Sequence, residues 1–433
     1  MRFLGIGDTN DLGDMYLRLR NAGHEVRVHM SDDDSCDVMQ GMIDFVPEWH
    51  SSLKWIQEAG ADGIIVFEAA NAGKVQDHLR QQGFNVVGGS ALGDKLESDR
   101  AYGQEVFSEY GFNTACSREF DSFDDAIEFL RSSPGRYVFK LSGSGWASTR
   151  NYVGQMDSGD DVIALLRAMK DRWGKGGQPT FVLMEFVDGV ETGVGAFFNG
   201  EQFLNPPNLD WEHKRFFPGD IGELTGEMGT VVTYRGAERM FERTLAKLAP
   251  LLRESGYCGY INLNTIVNER GVWPLELTCR FGYPGFAILD SLHVDDWATV
   301  LSTLTKRDST SIRTRDGFSV GVVLTVPPFP YPDGYDRLSR GTPICFRETM
   351  TEQDKSELHF GEVTMKDGEL QTAGMVGYTM VVTGVGTTIE EARHTVYERV
   401  DKVVIPNARY RNDIGVRLID HGWAKLTETG WVD

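Results

Sequence analysis

The sequence predicts a chain of α/β and α+β units: a parallel sheet with helices on its faces, a middle unit carrying polar loops, and a mixed α+β unit at the C-terminal end. Three observations predict it. Strand-like and helix-like segments alternate from Arg2 to Val87. An apolar strand with Lys140 near its end runs straight into the small-residue loop Ser142-Gly143-Ser144-Gly145-Trp146-Ala147-Ser148. Apolar residues from Trp273 to Cys279 alternate with Glu276, Thr278 and Arg280 before Gly and Pro end the run at Gly285.

With 433 residues the chain has length for two to four domains. The hydrophobic share of 41% and charged share of 25% are ordinary for a globular protein. No apolar run is long enough to span a bilayer, and the first residues lack the basic head and apolar segment of a signal peptide. A cytoplasmic location is the resulting expectation. Cys36, Cys116, Cys258, Cys279 and Cys345 are scattered and odd in number, which predicts reduced thiols. A net charge of -21 argues against nucleic acid and anionic membranes as partners, though not against a local basic pocket.

Taken in order, Arg2–Gly7 is a short apolar strand, Leu12 to Ala22 a helix stopped by Gly23, and His24 to His29 a second strand. Trp49 to Glu58 and Ala72 to Gln82 read as helices, Gly63 to Phe67 and Phe84 to Val87 as strands. The Gly5-Ile6-Gly7-Asp8-Thr9-Asn10 turn is a poor dinucleotide site, because Asp8 would repel a pyrophosphate. Leu96 to Tyr110 is one helical stretch carrying Arg100. Asp124 to Leu130 is helical. Tyr137–Leu141 is the strand bearing Lys140, which could neutralise phosphate charge while the small side chains after it admit backbone N–H groups to the oxygens. A hairpin with a snorkelling lysine is the alternative. Phe181 to Val187 is a strand whose end, Glu185-Phe186-Val187, could read a base edge through its main chain. Glu191 is then placed for a ribose, or is a surface acid.

Asn208 to Thr230 is polar and reads as a mobile substrate loop or a plain surface loop. Gly236 to Glu254 reads as one amphipathic helix through Met240, Leu245, Leu248 and Leu252. Gly259 to Val267, with Asn262 and Asn264, should pair with the Trp273 strand, and Ile288 to Leu304 is helical. Alternation puts Glu276, Thr278 and Arg280 on one strand face. A carboxylate for a divalent cation beside a guanidinium for phosphate suits a metal–phosphate site, and a solvated face with an ion pair is the alternative. A polar linker covers Lys306 to Arg315. Strands at Phe318 to Val326, Gly361 to Met365 and Met375 to Thr383, and a helix through Ile389, Ala392, Val396 and Val400, form the last unit. The expected domains are 1–95, 96–305 with a smaller subdomain at about 115–190, and 316–433.

These signals, in this order, resemble the glycinamide ribonucleotide synthetase family of the ATP-grasp superfamily. The resemblance rests on Leu96-Glu97-Ser98-Asp99-Arg100-Ala101-Tyr102, Tyr137 to Gly145, Glu185-Phe186-Val187-Asp188-Gly189 with Glu191, and Glu212-His213-Lys214-Arg215. It rests also on Thr225-Gly226-Glu227-Met228-Gly229, Leu275-Glu276-Leu277 through Arg280-Phe281-Gly282, and, further on, Ser319 to Leu324, Gln371-Thr372-Ala373-Gly374 and Tyr410 to Gly415. It implies an ATP-grasp fold with a Rossmann-like N-terminal domain. The implied activity is a ligase in which ATP phosphorylates a carboxylate and an amine attacks the acyl phosphate.

Carried over by position, Lys140 is the phosphate lysine, and Ser142, Gly143, Ser144, Gly145 and Trp146 belong to the phosphate loop. Glu185, Phe186 and Val187 are the adenine hinge, and Glu191 is the ribose carboxylate. Glu276 is the main ligand of Mg²⁺ or Mn²⁺, with Thr278 and Asn262 beside it. Arg280 lies over the transferred phosphoryl group, Lys214 is a nucleotide-side lysine, and Arg100 stands where the family has a first lysine. The substrate side departs from the family. Its Gly-Gly-Arg-Glu-His is Gly7-Asp8-Thr9-Asn10-Asp11 here, its Asn-Thr-Gly-Gly-Met-Gly is Leu224 to Gly229, and its Asp-Pro-Glu-Thr is Tyr283-Pro284-Gly285-Phe286. The expectation is a ligase, monomeric or homodimeric, acting on a small-molecule carboxylate and amine that differ from the family's. Phosphoribosylamine–glycine ligation and non-catalytic nucleotide binding are the alternatives.

Overall fold

A computed structural model describes residues 1–142, 151–173 and 179–432. Gly143, Ser144, Gly145 and Trp146 of the expected phosphate loop lie outside the described residues. The fold is mixed α/β, as the alternation of segments implies, and is organised by three large sheets.

The first sheet is parallel, in the order Glu25–Met30, Arg2–Gly7, Gly63–Phe67, Asn85–Val87. Gly63–Phe67 is buried throughout, and Arg2–Gly7 is buried beyond its first residue, which is why both read as continuous apolar runs. Helices Gly13–Asn21 and Gly73–Gln81 follow the first and third of the chain's strands. The amide of Gly88 donates to the carbonyl of Cys258 at 2.8 Å, tying the end of this sheet to the large one.

The second sheet is antiparallel: Ser117–Phe120, Phe181–Glu185, Tyr137–Leu141, Tyr152–Val153. Helices Phe123–Ser132 and Asp160–Trp173 close it over a core of its own, with Phe123, Phe139, Phe181, Leu130 and Leu166.

The third sheet has eight strands, in the order Gly271–Thr278, Cys258–Asn268, Val190–Asn199, Asn208–Glu212, Gly229–Thr233, Phe318–Thr325, Tyr378–Gly386, Leu358–Phe360. The strands past Phe318 therefore continue the sheet begun by the middle of the chain. Helix Ile389–Val400 buries Ile389, Ala392, Val396 and Val400, the face its spacing predicts. Asp367 and Gly368, both at positive φ, turn a hairpin between Val363–Lys366 and Glu369–Thr372, so the partner strand starts earlier than Met375.

Four expectations need correction. Asn208 to Thr230 is not a loop: its two ends are central strands, and Arg215–Phe217 with Ile221–Leu224 makes a hairpin between them. Its polar residues gave a loop-like composition because they line the site, not because they face bulk water. Leu96 to Tyr110 is two helices, Ala91–Ser98 and Arg100–Glu109. Asp99 leaves helical geometry and its carboxylate accepts from the Tyr102 amide. Gly236 to Glu254 breaks into Glu238–Arg243, a 3₁₀ turn at Leu245–Leu248, and Ala249–Glu254. Pro250, lacking an N–H, is tolerated only in the first turn of that last helix. Ile288 to Leu304 is likewise split, because Asp296 caps a new helix, Trp297–Lys306, through the Thr299 amide.

Candidate functional site

The floor of the site is one face of the eight-stranded sheet. Asn262 pairs with Thr278 and Asn264 with Glu276 across the last two strands. Asn262 and Asn264 pair in turn with Gly195 and Gly193, and these with Asn208 and Asp210. Because side chains alternate along a strand, all these residues and Glu212 point to one face. The glycines are required there. A Cβ on Gly193 would collide with the Asp210 carboxylate, and one on Gly195 with the Tyr260 hydroxyl and Asn208.

Glu276 and Thr278 share that face, as the alternation predicts. Arg280 does not belong to it. The strand ends at Thr278, and Arg280 sits in the bend beyond, where its Nε donates to Glu97 Oε1 at 3.0 Å. Glu97 also accepts from the Cys279 amide at 2.8 Å. Helix Ala91–Ser98 thus fixes the arginine at the cavity wall, which it lines together with Glu276, Thr278 and Tyr283.

Charge is concentrated around Lys214. Its Nζ lies 3.0 Å from Glu212, 3.2 Å from Glu276 and 3.6 Å from Glu191. Burial opposes its charge, but the three carboxylates together raise its pKa well above the usual value. In return Lys214, with Lys140 and Arg100 adding to it, holds Glu276 down at about 2 against the cost of burial. Lys140 projects from the second sheet into the same field. Its pKa is lowered by burial and by Arg100, while Glu276 and Glu191 pull the other way. The structure thus brings together Arg100, Lys140, Lys214, Glu191 and Glu276.

Other expected residues take more definite partners. Glu191 accepts from the Asn264 amide at 2.9 Å. Asn262 donates its amide to Asp210 at 2.6 Å, pairs with Thr278 across the strands and lines the cavity. Ser142 gives its amide to Thr180 at 2.9 Å and its hydroxyl to Glu119 at 3.3 Å. At the hinge, the amides of Glu185 and Phe186 are taken by the carbonyls of Cys116 and Arg136, both at 2.9 Å, and the Arg136 guanidinium covers the Phe186 ring at 3.5 Å.

A divalent cation fits the donor set in kind. Glu276, Asn262 and Thr278 offer only hard oxygens, the ligands Mg²⁺ and Mn²⁺ prefer. Among the described residues, however, no three of His, Cys, Asp or Glu converge for a metal on their own. The site suits a cation that shares its ligands with phosphate oxygens.

Reading the sequence alone misses Asp210, Glu227, Glu97 and Tyr260. Asp210 and Glu227 are each 6% exposed yet line the cavity. Burial, then Glu212, pushes the Asp210 carboxyl upward; burial, then Glu212 and Asp210, pushes Glu227 well above the carboxylate range. The Asn208–Glu212 alternation was the one available signal for Asp210. Of the N-terminal acids, Asp11 has its carboxyl raised by desolvation, which a bond from Thr9 and then the charge of nearby Arg280 only partly offset. Asp14 is turned away, buried and bonded to Arg18 at 2.6 Å. Phe286, expected at the substrate wall, is 3% exposed and packs into the core beside Trp297.

The chain is similar to known proteins over most of its length. Residues 98–286 match the family described as phosphoribosylglycinamide synthetase, ATP-grasp (A) domain, and residues 319–417 match the phosphoribosylglycinamide synthetase C domain. A phosphoribosylamine–glycine ligase from Halalkalibacterium halodurans is 27% identical over 354 residues, spanning 80% of this chain and 79% of the relative. One from Pseudomonas aeruginosa is 27% identical over 368 residues, 82% and 83% of the two chains. The crystal structure of phosphoribosylamine–glycine ligase from Thermotoga maritima superposes with a TM-score of 0.71 at 24% identity, over 96% of this chain and 100% of that one.

The chain is an ATP-grasp ligase. Within that class it resembles the phosphoribosylglycinamide synthetases, in the ATP-grasp domain and in the C domain alike.

Proposed function

We propose that the protein uses Mg²⁺–ATP to join a carboxylate to an amine through an acyl phosphate, releasing ADP and phosphate, and that its amine or carboxylate partner differs from phosphoribosylamine and glycine. The observation that carries the ligase chemistry is the meeting of Lys140 from the small sheet with Lys214 and Glu276 from the large one. Lys140 and Arg100 neutralise the phosphates. The main chain of Val187 reads the base, since the two preceding amides are engaged, and Glu191 accepts from the ribose. Bound at Glu276, Asn262 and Thr278, a divalent cation supplies charge neutralisation and orientation of the phosphates. Glu276 is ionised for this across the physiological range. Arg280, steadied by Glu97, faces the group in transfer.

The altered partner is supported by acids where a phosphoribosyl dianion would need donors. Asp8 and Asp11 stand at the N-terminal turn, and Glu227 lies in the cavity wall. Ionised, each opposes a bound phosphate by about 1 kcal/mol at ~4 Å in water, and by more where water is excluded.

A second reading is the reaction named for the relatives, ligation of glycine to phosphoribosylamine. The match across both family domains favours it. Release of ADP by the purified protein, followed over a panel of amino acids and amines that includes glycine with phosphoribosylamine, decides between them. We expect turnover with a phosphate-free partner. Turnover confined to glycine and phosphoribosylamine, at rates normal for a biosynthetic ligase, would establish the second reading.

A further inference from the structure

The cavity beside Glu276 has a volume of about 210 Å³, and its far wall holds Asp210, Glu227, Tyr260, Tyr283, Val232 and Leu289. Its cations are already committed. Lys214 is bonded to Glu212, Glu276 and Glu191, and Arg280 to Glu97. Asp210 receives only neutral amides, from Asn208 at 3.3 Å and Asn262 at 2.6 Å. Glu227 is less well served. Its Oε1 is buried without a hydrogen-bond partner among the described residues, as are the Tyr283 hydroxyl and the Thr230 hydroxyl nearby. A buried polar group in a cavity wall with no partner of its own marks a point of contact for a ligand.

We propose that this cavity binds a substrate carrying a basic nitrogen beyond any it needs for amide formation, with the cationic group held between Glu227 and Asp210 and against the Tyr283 ring. The inference rests on the ligase reading and names the substrate class of that same site. A cation satisfies Glu227 Oε1 and Asp210 at once, and an aromatic face adds attraction without taking up a hydrogen bond. A phosphate brings no positive charge to either acid, and meets either one, when ionised, with the wrong sign. A zwitterion such as glycine brings no net charge to balance them. The charged groups facing Glu227 are Glu212, Asp210 and Lys214, with the Tyr283 and Tyr378 hydroxyls close by.

Titration calorimetry on the full chain with Mg²⁺ and ADP present tests this. The probes are L-ornithine, L-norvaline, which is ornithine without its side-chain amine, and ribose 5-phosphate. We expect ornithine to bind at least about tenfold more tightly than norvaline or ribose 5-phosphate. Glu227→Gln should remove the preference while leaving the affinity for Mg²⁺–ADP unchanged. Asp210→Asn should weaken ornithine in the same direction. Equal binding of norvaline, tighter binding of ribose 5-phosphate, or an unchanged preference in Glu227→Gln overturns the proposal and leaves the ligase reading standing. Failure of folded protein to bind Mg²⁺–ADP overturns the ligase reading, and this inference with it.

Discussion

Lys214 and Glu276 show how one residue pair carries the state of the site. The ammonium sits among Glu191, Glu212 and Glu276 and neutralises a face that would otherwise repel itself. On the proposed reading, a divalent cation arriving with ATP would take over that work at Glu276 and free the lysine for phosphate. The Glu276 side chain is 44% exposed, so its pairing with Lys214 adds little to folding. Glu276→Gln keeps shape and removes charge. We expect turnover to fall roughly 10²-fold or more, with a thermal midpoint within a degree or two of the parent. ADP release and a melting curve on the same sample read both quantities. Normal turnover with normal Mg²⁺ dependence would strip Glu276 of the metal role. Glu276, Lys140 and Arg280 were legible in the sequence because each sits at the end of, or beyond, an alternating apolar strand. Glu227 was not, since Thr225 to Gly229 has no periodicity and its burial comes from contacts with distant strands.

At the scale of the element, the polar floor depends on backbone exposed by Gly193 and Gly195. The chain can seat Asp210 and Tyr260 on that face only because the strand between them has no side chains there. Gly195→Ala should press a methyl group into the Tyr260 hydroxyl and Asn208, which hold each other at 3.0 Å. Overpacking of this kind costs about 1–3 kcal/mol. We expect a lower denaturation midpoint together with weaker nucleotide binding, because Asn262 leans on the same Tyr260–Asp210 network. Unchanged stability and binding would mean that the floor can relax around the methyl. The Val190–Asn199 strand also explains what sequence reading gets wrong here. Elements that bury one apolar face, such as Phe123–Ser132 and Ile389–Val400, are visible from their spacing. Central strands whose second face lines a cavity, such as Asn208–Glu212, carry polar residues at the frequency of a loop. Helix breaks at Asp99, Thr244 and Asp296 are local capping and turn events that apolar periodicity runs straight across.

Over the whole molecule, the N-terminal sheet and the far edge of the eight-stranded sheet are clasped by one buried acid. Asp14, 3% exposed on the first helix, accepts from Arg18 at 2.6 Å and from the Phe360 amide at 3.2 Å, and lies 3.0 Å from the His359 ring. Arg18 reaches on to the Leu358 carbonyl at 3.1 Å and to Asp290 at 3.3 Å. The helix that bears Asp14 follows directly on the turn that brings Asp11 toward Arg280, so the clasp also fixes one rim of the site. Burial alone would raise the Asp14 pKa, but Arg18 and then His359 outweigh it and hold the carboxyl at about 2, below its ordinary 3.8. A depressed carboxyl stabilises the fold fully above its unfolded pKa and loses that contribution as pH falls through the folded value. The window is therefore from about pH 4 down to about pH 2, and a shift of this size is worth about 2 kcal/mol. Asp14→Asn should destabilise the protein at pH 7 by roughly 2–3 kcal/mol, less than the loss of a sole partner because Arg18 keeps Asp290. Its gap from the parent should then shrink steadily between pH 4 and pH 2, as the parent's own carboxyl takes up a proton. Denaturant unfolding of both proteins at pH 7, 4 and 2.5 measures that gap. A difference that stays constant with pH would show that Asp14 acts by packing and not by its charge, and that the acid sensitivity of the fold has another source.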